Sequence, residues 1–391
     1  MKQFAAQYII TNCGEPLNKG IVTTEDDGTV ISVGETGGNL RERHSLSFFN
    51  GIIVPGFVNC HCHLELSYMK GLIPEGTGLG GFLSGLNGIR GKYVSDPVKE
   101  IETCDKLMAD EGIVICADVC NSTHSFRVKK KSRIRYYNLL EVFGIDSNAA
   151  GKRFSEIEKV AEAASADGLE WYLVPHSVYS VSLPLFRMIK DKTKTNTITS
   201  IHFMESEEEI EFLSSRTGSL MDAYRLILSP SAILMPPAGH INAVLEELTR
   251  SGNLILVHNT YIGKDEIGKL RQRENLFYCL CPGSNRFITG NLPPLKLLTE
   301  ERCDIVIGTD SLSSNNQLSI LNELRILQDE FPGTKLTDMI TWACLNGSKA
   351  LGASDLYGSI EPGKKPGLVL IKDLDLKDMK LLPSSRSVRL I

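Results

Sequence analysis

The chain of 391 residues has only 2 tryptophans, and aromatic residues make up 7% of it. It also lacks long hydrophobic runs. None approaches the roughly 18 consecutive apolar residues that a membrane helix requires, so we expect no membrane partner. A net charge of −5 argues against nucleic acid or an anionic lipid surface as a partner. The single basic run, at positions 128–133, is short and is predicted to be a solvated loop.

The ten cysteines do not form a zinc-binding pattern. Cys279 and Cys281, and likewise Cys116 and Cys120, stand without the second Cys-x-x-Cys pair that a structural zinc site needs. Free cysteines in strand-like runs behave as small buried hydrophobic residues. Residues 1–10 also lack the apolar core of a signal peptide. We therefore expect the protein in a reducing cytoplasm.

Short apolar runs rich in Val, Ile and Leu alternate with charged, amphipathic stretches through the middle of the chain. Such alternation indicates a parallel sheet that is covered on its outer face by helices. The eight runs are 52–63, 113–120, 134–144, 169–179, 198–206, 254–260, 277–284 and 304–312. Eight units of this kind predict an α/β fold, a (β/α)8 TIM-like barrel.

The two ends of the chain differ from the middle. Residues 1 to about 50 carry short strand signals between turns, and segment 358–371 is a turn followed by an apolar strand. We expect residues 1–54 and 354–391 to pair into one small β domain without chemistry of its own. Residues 55–353 are then the barrel.

The most informative motif ends the first apolar run, where His61 and His63 are separated by Cys62. Side chains alternate between the two faces of a strand, so both imidazoles point the same way. Two imidazoles that share a face can hold one metal ion. The His-x-His pattern alone is nevertheless a weak signal.

Other polar residues end the later runs, and in a barrel the chemistry gathers at the C-terminal ends of the strands. They are His176 on the fourth run, His202 and Glu205 on the fifth, His258 on the sixth, Ser284 and Asn285 on the seventh and Asp310 on the eighth. Divalent zinc or iron suits nitrogen and carboxylate ligands, with one position left for water. The predicted metal ligands are His61, His63, His202 and Asp310.

Each of these residues also has a plainer interpretation. A lone histidine at a strand end is usually a hydrogen-bonded core or loop residue, and Asp310 could cap a helix that follows the eighth strand. The conjunction of all of them at successive strand ends favours the metal site.

Six segments carry a further signal. They are 55–63 (Pro-Gly-Phe-Val-Asn-Cys-His-Cys-His), 201–206 (Ile-His-Phe-Met-Glu-Ser), 256–259 (Leu-Val-His-Asn), 281–285 (Cys-Pro-Gly-Ser-Asn), 307–315 (Ile-Gly-Thr-Asp-Ser-Leu-Ser-Ser-Asn) and 358–370. With them the chain resembles the amidohydrolase superfamily, in the branch of cytosine, guanine and S-adenosylhomocysteine deaminases and triazine hydrolases. Segment 63–67, His-Leu-Glu-Leu-Ser, is similar to a motif of aminodeoxyfutalosine deaminases within that branch.

The resemblance implies one divalent metal ion. Binuclear members carry a carboxylated lysine at the end of the fourth strand, whereas Pro175 and His176 stand there, as in mononuclear deaminases. Zinc is favoured and iron(II) is the alternative. Two residues depart from the family pattern: Cys62, on the non-ligating face of the first strand, and Gly367, in the small β domain.

The resemblance also implies hydrolysis by attack of a metal-bound hydroxide, because the metal lowers the pKa of its bound water toward about 7. Glu205 is then the general acid for a ring nitrogen, although it could merely begin the acidic run 205–211. Asp310 accepts the water proton and delivers it to the departing ammonia, and His258 orients or stabilises the hydroxide. His176 is expected to hydrogen-bond the substrate.

Two carboxylates and one loop are further candidates for substrate contact. Glu65 and Glu141 lie near predicted strand ends and could bind amino or hydroxyl groups, or serve in internal salt bridges. Residues 74–81 are rich in glycine and are either a mobile lid over the barrel mouth or a turn-rich loop.

Together these motifs predict a metal-dependent aminohydrolase that releases ammonia from an amino-substituted, purine-like heterocycle. Two alternatives stay open. One is hydrolysis of a cyclic amide, or of a chloro- or alkylamino-substituted ring, at the same site. The other is a non-catalytic barrel relative. The predicted partner is a small-molecule substrate, and a homo-oligomer is compatible with the resemblance.

Overall fold

The computed structural model describes residues 1–40, 45–90, 97–225, 228–233, 239–248 and 250–391. The strands are β1 (Lys2–Ile9), β2 (Leu17–Asn18), β3 (Ile21–Thr24), β4 (Val30–Gly34), β5 (Leu46–Pro55), β6 (Phe57–Cys62), β7 (Ile113–Cys120), β8 (Arg135–Val142), β9 (Trp171–Pro175), β10 (Ile198–Phe203), β11 (Asn253–His258), β12 (Leu276–Leu280), β13 (Asp304–Ile307), β14 (Leu368–Lys372) and β15 (Arg386–Arg389).

Helices follow most of the strands in the middle of the chain. They are α1 (Gly78–Ile89), α2 (Val98–Asp110), α3 (Phe126–Lys129), α4 (Ala150–Ala166), α5 (Leu183–Lys192), α6 (Glu207–Ser215), α7 (Gly218–Arg225), α8 (Gly239–Asn242), α9 (Lys264–Leu270), α10 (Pro282–Ile288), α11 (Leu295–Glu300), α12 (Ile320–Glu330), α13 (Leu336–Thr341) and α14 (Gly347–Ala350). Short 3₁₀ turns lie at Leu64–Met69, Ser147–Ala149 and Pro230–Ala232, and π-helical turns at Ala243–Glu247 and Trp342–Asn346.

Eight parallel strands form two four-stranded sheets, in the orders β6-β7-β8-β9 and β10-β11-β12-β13. Backbone hydrogen bonds join the two sheets at both edges. At one edge, the amide of His202 donates to the carbonyl of His176 over 2.8 Å. At the other, the amides of Thr309 and Asp310 donate to the carbonyl of His61 over 2.9 and 3.0 Å. The predicted (β/α)8 barrel is confirmed.

One cluster of buried apolar side chains includes residues from each of the eight barrel strands, and we place it inside the barrel beneath the strand ends. Its members include Val58, Ile115, Leu139, Val174, Ile198, Ile255, Cys279 and Val306. The helices pack on the outside through apolar faces. In α4, the buried residues Ala150, Phe154, Ile157, Ala161 and Ala164 recur every three or four positions, which is the spacing of one helix face.

The first apolar run was predicted as one strand over 52–63, and this expectation is wrong. The structure divides the run at Gly56, between β5 and β6. A Cβ atom on Gly56 would overlap Val114 and the carbonyl of Pro366, so only glycine fits where the chain passes from one sheet to the next. The barrel therefore begins at Phe57.

Strands from both chain ends form a separate sheet in the order β15-β14-β5-β1-β3-β4, with β2 paired to β1. β5 runs parallel to β1 and antiparallel to β14, so it joins the N-terminal strands to the C-terminal ones. The domain boundaries at 54/55 and 353/354 stay a prediction.

Two further sequence expectations concern single segments. Helix α1 begins at Gly78, within the glycine-rich residues 74–81, and a role of this segment as a mobile lid stays a prediction. Among the residues that the structure describes, no helix is long and apolar enough to cross a bilayer.

The interior cluster predicts a large effect of truncating one of its members. Ile255 is fully buried, so Ile255→Ala should lower the free energy of unfolding by about 2–5 kcal/mol, measured by urea denaturation. The matched control is Ile31→Ala, because Ile31 is 37% exposed on β4. This substitution should change the free energy of unfolding by less than about 0.5 kcal/mol. Equal effects of the two substitutions would contradict the assignment of the cluster as the barrel core.

Candidate active site

His61 and His63 meet at the C-terminal end of β6. The register between β6 and β7 shifts between Asn59 and Cys62, and such irregularities next to active sites re-aim a side chain. His63 follows the strand directly and precedes a 3₁₀ turn. The Nε2 atoms of the two histidines lie 3.1 Å apart. The shared orientation predicted for this pair agrees with that contact.

Asp310 approaches the pair from the loop that follows β13. Its Oδ1 lies 3.7 Å from His61 Nε2 and 3.5 Å from His63 Nε2. Its Oδ2 accepts hydrogen bonds from the hydroxyls of Ser284, at 2.5 Å, and Ser314, at 2.8 Å. One carboxylate oxygen is thus held by the protein, and the other faces the imidazoles.

The structure excludes the interpretation of Asp310 as a helix cap. The helix that follows it, α12, begins at Ile320 and has Ser319 as its N-cap. Asp310 has a φ of 56°, a left-handed conformation that is uncommon for residues other than glycine and that is often found at functional sites.

His202 is oriented by the backbone. Its Nδ1 donates to the carbonyl of His176 over 2.7 Å, which fixes the tautomer and leaves Nε2 with a free lone pair. The ring centroid of His202 lies 4.8 Å from that of His61. A third imidazole nitrogen is therefore directed into the same space.

His258 ends β11 with a φ of 78°. Its Nδ1 lies 3.3 Å from the side-chain amide of Asn285, and its Nε2 lies 3.6 Å from Glu205 Oε1. The centroids of the His258 and His61 rings are 6.0 Å apart. The predicted seventh-strand residue Asn285 is thus a partner of the sixth-strand histidine.

Burial disfavours the charged form of an imidazole, and the pKa values of three histidines at the site are lowered. Burial and the neighbouring rings lower the pKa of His61 well below its usual value, and that of His176 to about 3. Burial also lowers the pKa of His258 to about 3. Neutral imidazole is the form that binds a metal ion.

The donor set fits a divalent metal ion. Ligand atoms of His61, His63 and Asp310 lie within 4.8 Å of one another, as do those of His61, His202 and His258. The Nδ1 of His61 is buried without a hydrogen-bond partner. Nitrogen donors with one carboxylate oxygen suit zinc or iron.

Glu205 lies across from Asp310 and is almost fully buried. Burial, and then the negative charge of Asp310, raise the pKa of Glu205 well above its usual value. Its backbone amide donates to the carboxylate of Glu209 over 2.8 Å. The acidic run itself forms the first turn of α6 after the N-cap Ser206, so Glu205 stands outside that helix.

The three predicted substrate contacts are placed differently. Glu65 accepts hydrogen bonds from the amides of Asn121, at 2.9 Å, and Ser122, at 3.1 Å, and from the Ser122 hydroxyl, at 2.8 Å. Its carboxylate is thus engaged with the loop after β7. Glu141 and His176 instead line the cavity at the metal ligands. A role of any of the three in substrate binding stays a prediction.

This cavity has a volume of about 420 Å³, within the range of small-molecule sites. Apolar residues of α1 and α7 form part of its wall, and Arg90 and Arg153 also line it. The sequence analysis did not single out these two arginines. Arg90 follows the uncharged helix α1, and Arg153 is one of several charged residues of α4. Neither belongs to a motif, so the sequence offers no signal for them.

A second group of potential ligands, Cys62, Cys116 and Asp118, lies beside the site. Both carboxylate oxygens of Asp118 are already engaged, by the amide of Leu64 at 2.7 Å and by Lys129 Nζ at 2.5 Å. We therefore interpret this group as structural.

The basic run at 128–133 was predicted to be a solvated loop, and for Lys129 this prediction is wrong. The Lys129 side chain is fully buried and forms its ion pair with Asp118 beneath β7. Its ammonium group also donates to the side chain of Asn138 over 2.8 Å. The sequence could not identify which lysine of the run would pair, because the partner, Asp118, lies in a different element, strand β7.

Comparisons with known proteins agree with this geometry. The pattern of the Amidohydrolase family matches residues 52–390. The adenosine deaminase of Helicobacter pylori is 26% identical over 334 residues, covering 82% of this chain and 79% of the relative. The 5-methylthioadenosine/S-adenosylhomocysteine deaminase of Pyrococcus abyssi is 24% identical over 360 residues, covering 86% and 77%.

Among solved structures, the Helicobacter pylori aminofutalosine deaminase in complex with methylthio-coformycin has a TM-score of 0.80 at 22% identity, covering 100% of both chains. An adenosine deaminase from Xanthomonas campestris with bound zinc has a TM-score of 0.68 at 21% identity, covering 98% of this chain and 86% of that one.

The chain belongs to the amidohydrolase family, a family of metal-dependent enzymes. It is a hydrolase that acts on carbon–nitrogen bonds other than peptide bonds. The resemblance proposed from the motifs is confirmed.

The contacts of Asp310 predict a loss of metal affinity on substitution. Asp310→Asn should weaken zinc binding by at least about 100-fold, because losing a residue that merely orients a ligand already costs roughly 10- to 100-fold. Asp329→Asn, an exposed carboxylate on α12, is the control. Competition with a chelator measures both. An unchanged affinity in D310N would remove Asp310 from the ligand set.

Proposed function

We propose that this protein is a metal-dependent aminohydrolase that releases ammonia from the amino-substituted ring of a purine-like nucleoside. The observation that carries the proposal is the arrangement at the barrel mouth. Imidazoles and the Asp310 carboxylate face one space, and Glu205, whose pKa is raised, lies beside His258.

Four side chains would hold the metal ion: His61, His63, His202 and Asp310. Zinc is the expected ion and iron(II) the alternative. Once bound, the ion would supply an activated water as the nucleophile and polarise the substrate. His202 is prepared for this role because its Nδ1–H is committed to the carbonyl of His176, and Asp310 because its Oδ2 is committed to two serine hydroxyls.

The two carboxyl groups divide the proton transfers between them. Burial would raise the pKa of Asp310, but the His63 imidazole and the Ser284 hydroxyl outweigh it and hold that pKa below its usual range. Asp310 is therefore a base that can accept a proton from water and pass it to the leaving amine. The raised pKa of Glu205 suits this group to donate a proton to the ring nitrogen. His258, next to Glu205, orients the attacking oxygen.

The substrate class follows from the cavity and from the relatives. The Nδ1 of His176 is engaged by the hydroxyls of Ser177 and Ser180, at 3.0 and 2.7 Å, which leaves Nε2 for the substrate. The relatives are named as deaminases of adenosine, 5-methylthioadenosine/S-adenosylhomocysteine, aminodeoxyfutalosine and 5′-deoxyadenosine. These share an aminated purine, and we propose the same ring for this chain.

A panel of substrates tests the proposal directly. Zinc-loaded protein should release ammonia from at least one of the four nucleoside types, and removal of the metal by a chelator should abolish release until zinc is restored. Cytosine, a pterin, a cyclic amide and a chlorotriazine serve as comparison substrates. Turnover confined to the last two would replace the proposal by the ring-hydrolase alternative. No turnover of any compound by metal-loaded protein would favour a non-catalytic relative.

Substitution of Glu205 separates chemistry from metal binding. Glu205→Gln removes the acidic proton but keeps the side-chain volume, so kcat should fall roughly 100- to 10,000-fold with zinc content unchanged. Glu207→Gln, on the exposed face of α6, is the matched control and should behave as the wild type. Metal analysis accompanies the kinetics, and loss of zinc from E205Q would reassign Glu205 as a ligand.

The cellular setting also belongs to the proposal. We expect the protein to work in the cytoplasm on a small, diffusible substrate. A homo-oligomer is compatible with the family.

A further inference from the structure

A buried carboxyl group lies behind Asp310, away from the cavity. Glu323, on the first turn of α12, is fully buried. Its Oε2 accepts a hydrogen bond from the amide of Gly283 at 2.6 Å, and its Oε1 accepts one from Asn315 Nδ2 at 2.8 Å. Burial raises the pKa of Glu323 to about 8, so the group is uncharged at neutral pH.

Both partners of Glu323 belong to segments that hold Asp310. Gly283 directly precedes Ser284, and Asn315 directly follows Ser314, the two residues whose hydroxyls donate to Asp310 Oδ2. Asn315 Nδ2 also donates over 2.9 Å to the carbonyl of Thr309, the residue just before Asp310. Glu323 thus joins the start of α10 to the loop after β13.

The contact around Glu323 leaves no spare room. A Cβ atom on Gly283 would lie 2.6 Å from Asn315 Nδ2 and 2.7 Å from Glu323 Oε1, closer than carbon approaches such atoms. Glycine is therefore needed at 283 for the two segments to close around the carboxyl group.

We propose that Glu323 is a positioning residue, which fixes the direction of Asp310 by tying together the two segments that bind its Oδ2. With Oδ2 fixed, Oδ1 is aimed at His61 and His63. Glu323 itself touches neither the cavity nor the imidazoles. The inference rests on the proposed function in that it takes Asp310 as a metal ligand and proton carrier.

The first test replaces the acid by its amide. Glu323→Gln keeps the side-chain volume and the uncharged state, but it replaces one carboxyl oxygen by an NH₂ group, which cannot accept a hydrogen bond. That NH₂ group then faces one of the two donors, the amide of Gly283 or Nδ2 of Asn315. Asn315 cannot flip its side-chain amide to compensate without losing the hydrogen bond that it donates to the carbonyl of Thr309. Glu330→Gln on the same helix is the matched control, because Glu330 lies at the surface in an ion pair with Arg286.

The second test reaches the same contact from the other side. Gly283→Ala should push Asn315 and Glu323 away from α10. Gly333→Ala is its control, since a Cβ atom there meets nothing within 4 Å.

Two measurements are made on each variant. The visible absorption of the cobalt(II)-substituted protein reports the ligand geometry of the ion and needs no substrate. Steady-state kinetics separate kcat from KM. We expect E323Q and G283A to change the cobalt spectrum and to lower kcat roughly 10- to 100-fold, with KM within about threefold of the wild type. Both controls should match the wild type.

The outcomes are distinguishable. The inference would be overturned if folded E323Q and G283A had the cobalt spectrum and the kcat of the wild type. It would also be overturned if these variants had a lower melting temperature while their cobalt spectrum and kcat were unchanged. If E323Q does not fold, the cobalt spectrum and the kcat of G283A test the inference alone. Failure of both to fold, beside folded controls, would show that Glu323 supports the fold as a whole and would also overturn it. If the wild type deaminates nothing, the proposed function fails, and the cobalt spectra still decide the role of Glu323.

Discussion

The carbonyl oxygen of His61 accepts hydrogen bonds from the amides of Thr309 and Asp310, and the rest of the site depends on this contact. It closes the barrel between its first and last strands and sets the His61 and Asp310 side chains beside each other. On the opposite edge, the amide of His202 and the carbonyl of His176 do the same for the fourth and fifth strands. Closure of the barrel and assembly of the donor set are therefore one event. A barrel that failed to close would separate His61 from Asp310 at one edge, and His202 from the carbonyl of His176 at the other.

Burial then determines what the assembled groups can do. Burial lowers the pKa values of His61 and His258, which favours the neutral form that can bind a cation. Of the two carboxyl groups, Asp310 receives hydroxyl donors that help to lower its pKa, whereas burial and the negative charge of Asp310 raise the pKa of Glu205. Their pKa values are thus pushed in opposite directions. Such a division between neighbouring acids supplies one proton acceptor and one donor at the same pH.

The precision of the site comes from residues that never reach the cavity. Ser284 and Ser314 hold one oxygen of Asp310, Glu209 holds the backbone of Glu205, and the Asp118–Lys129 pair binds the amide next to His63. Each contact satisfies a buried polar group, so each contributes to stability as well as to orientation. The strained φ values at His258 and Asp310 are held in place by this surrounding network.

The sequence analysis identified the barrel, the family and the residues that the structure brings together at its mouth. Apolar runs and strand-end histidines are local features that the order of residues displays directly. It placed a domain boundary at 54/55 but did not show that the strand itself breaks at Gly56, because an apolar run looks the same whether it forms one strand or two. It misassigned Lys129, because a lysine is buried only when a distant carboxylate meets it. It gave no reason to notice Glu323, whose partners lie 40 and 8 positions away.

The order of the amino acids by itself therefore determined the kind of chemistry, because it sets the type and the spacing of the donor residues on each strand. Only the tertiary structure decided which oxygen of Asp310 faces the imidazoles, which nitrogen of His202 is free and which of the two acids has the raised pKa. These properties depend on distances between groups far apart in the chain and on the exclusion of water around them. Both arise only when the barrel closes.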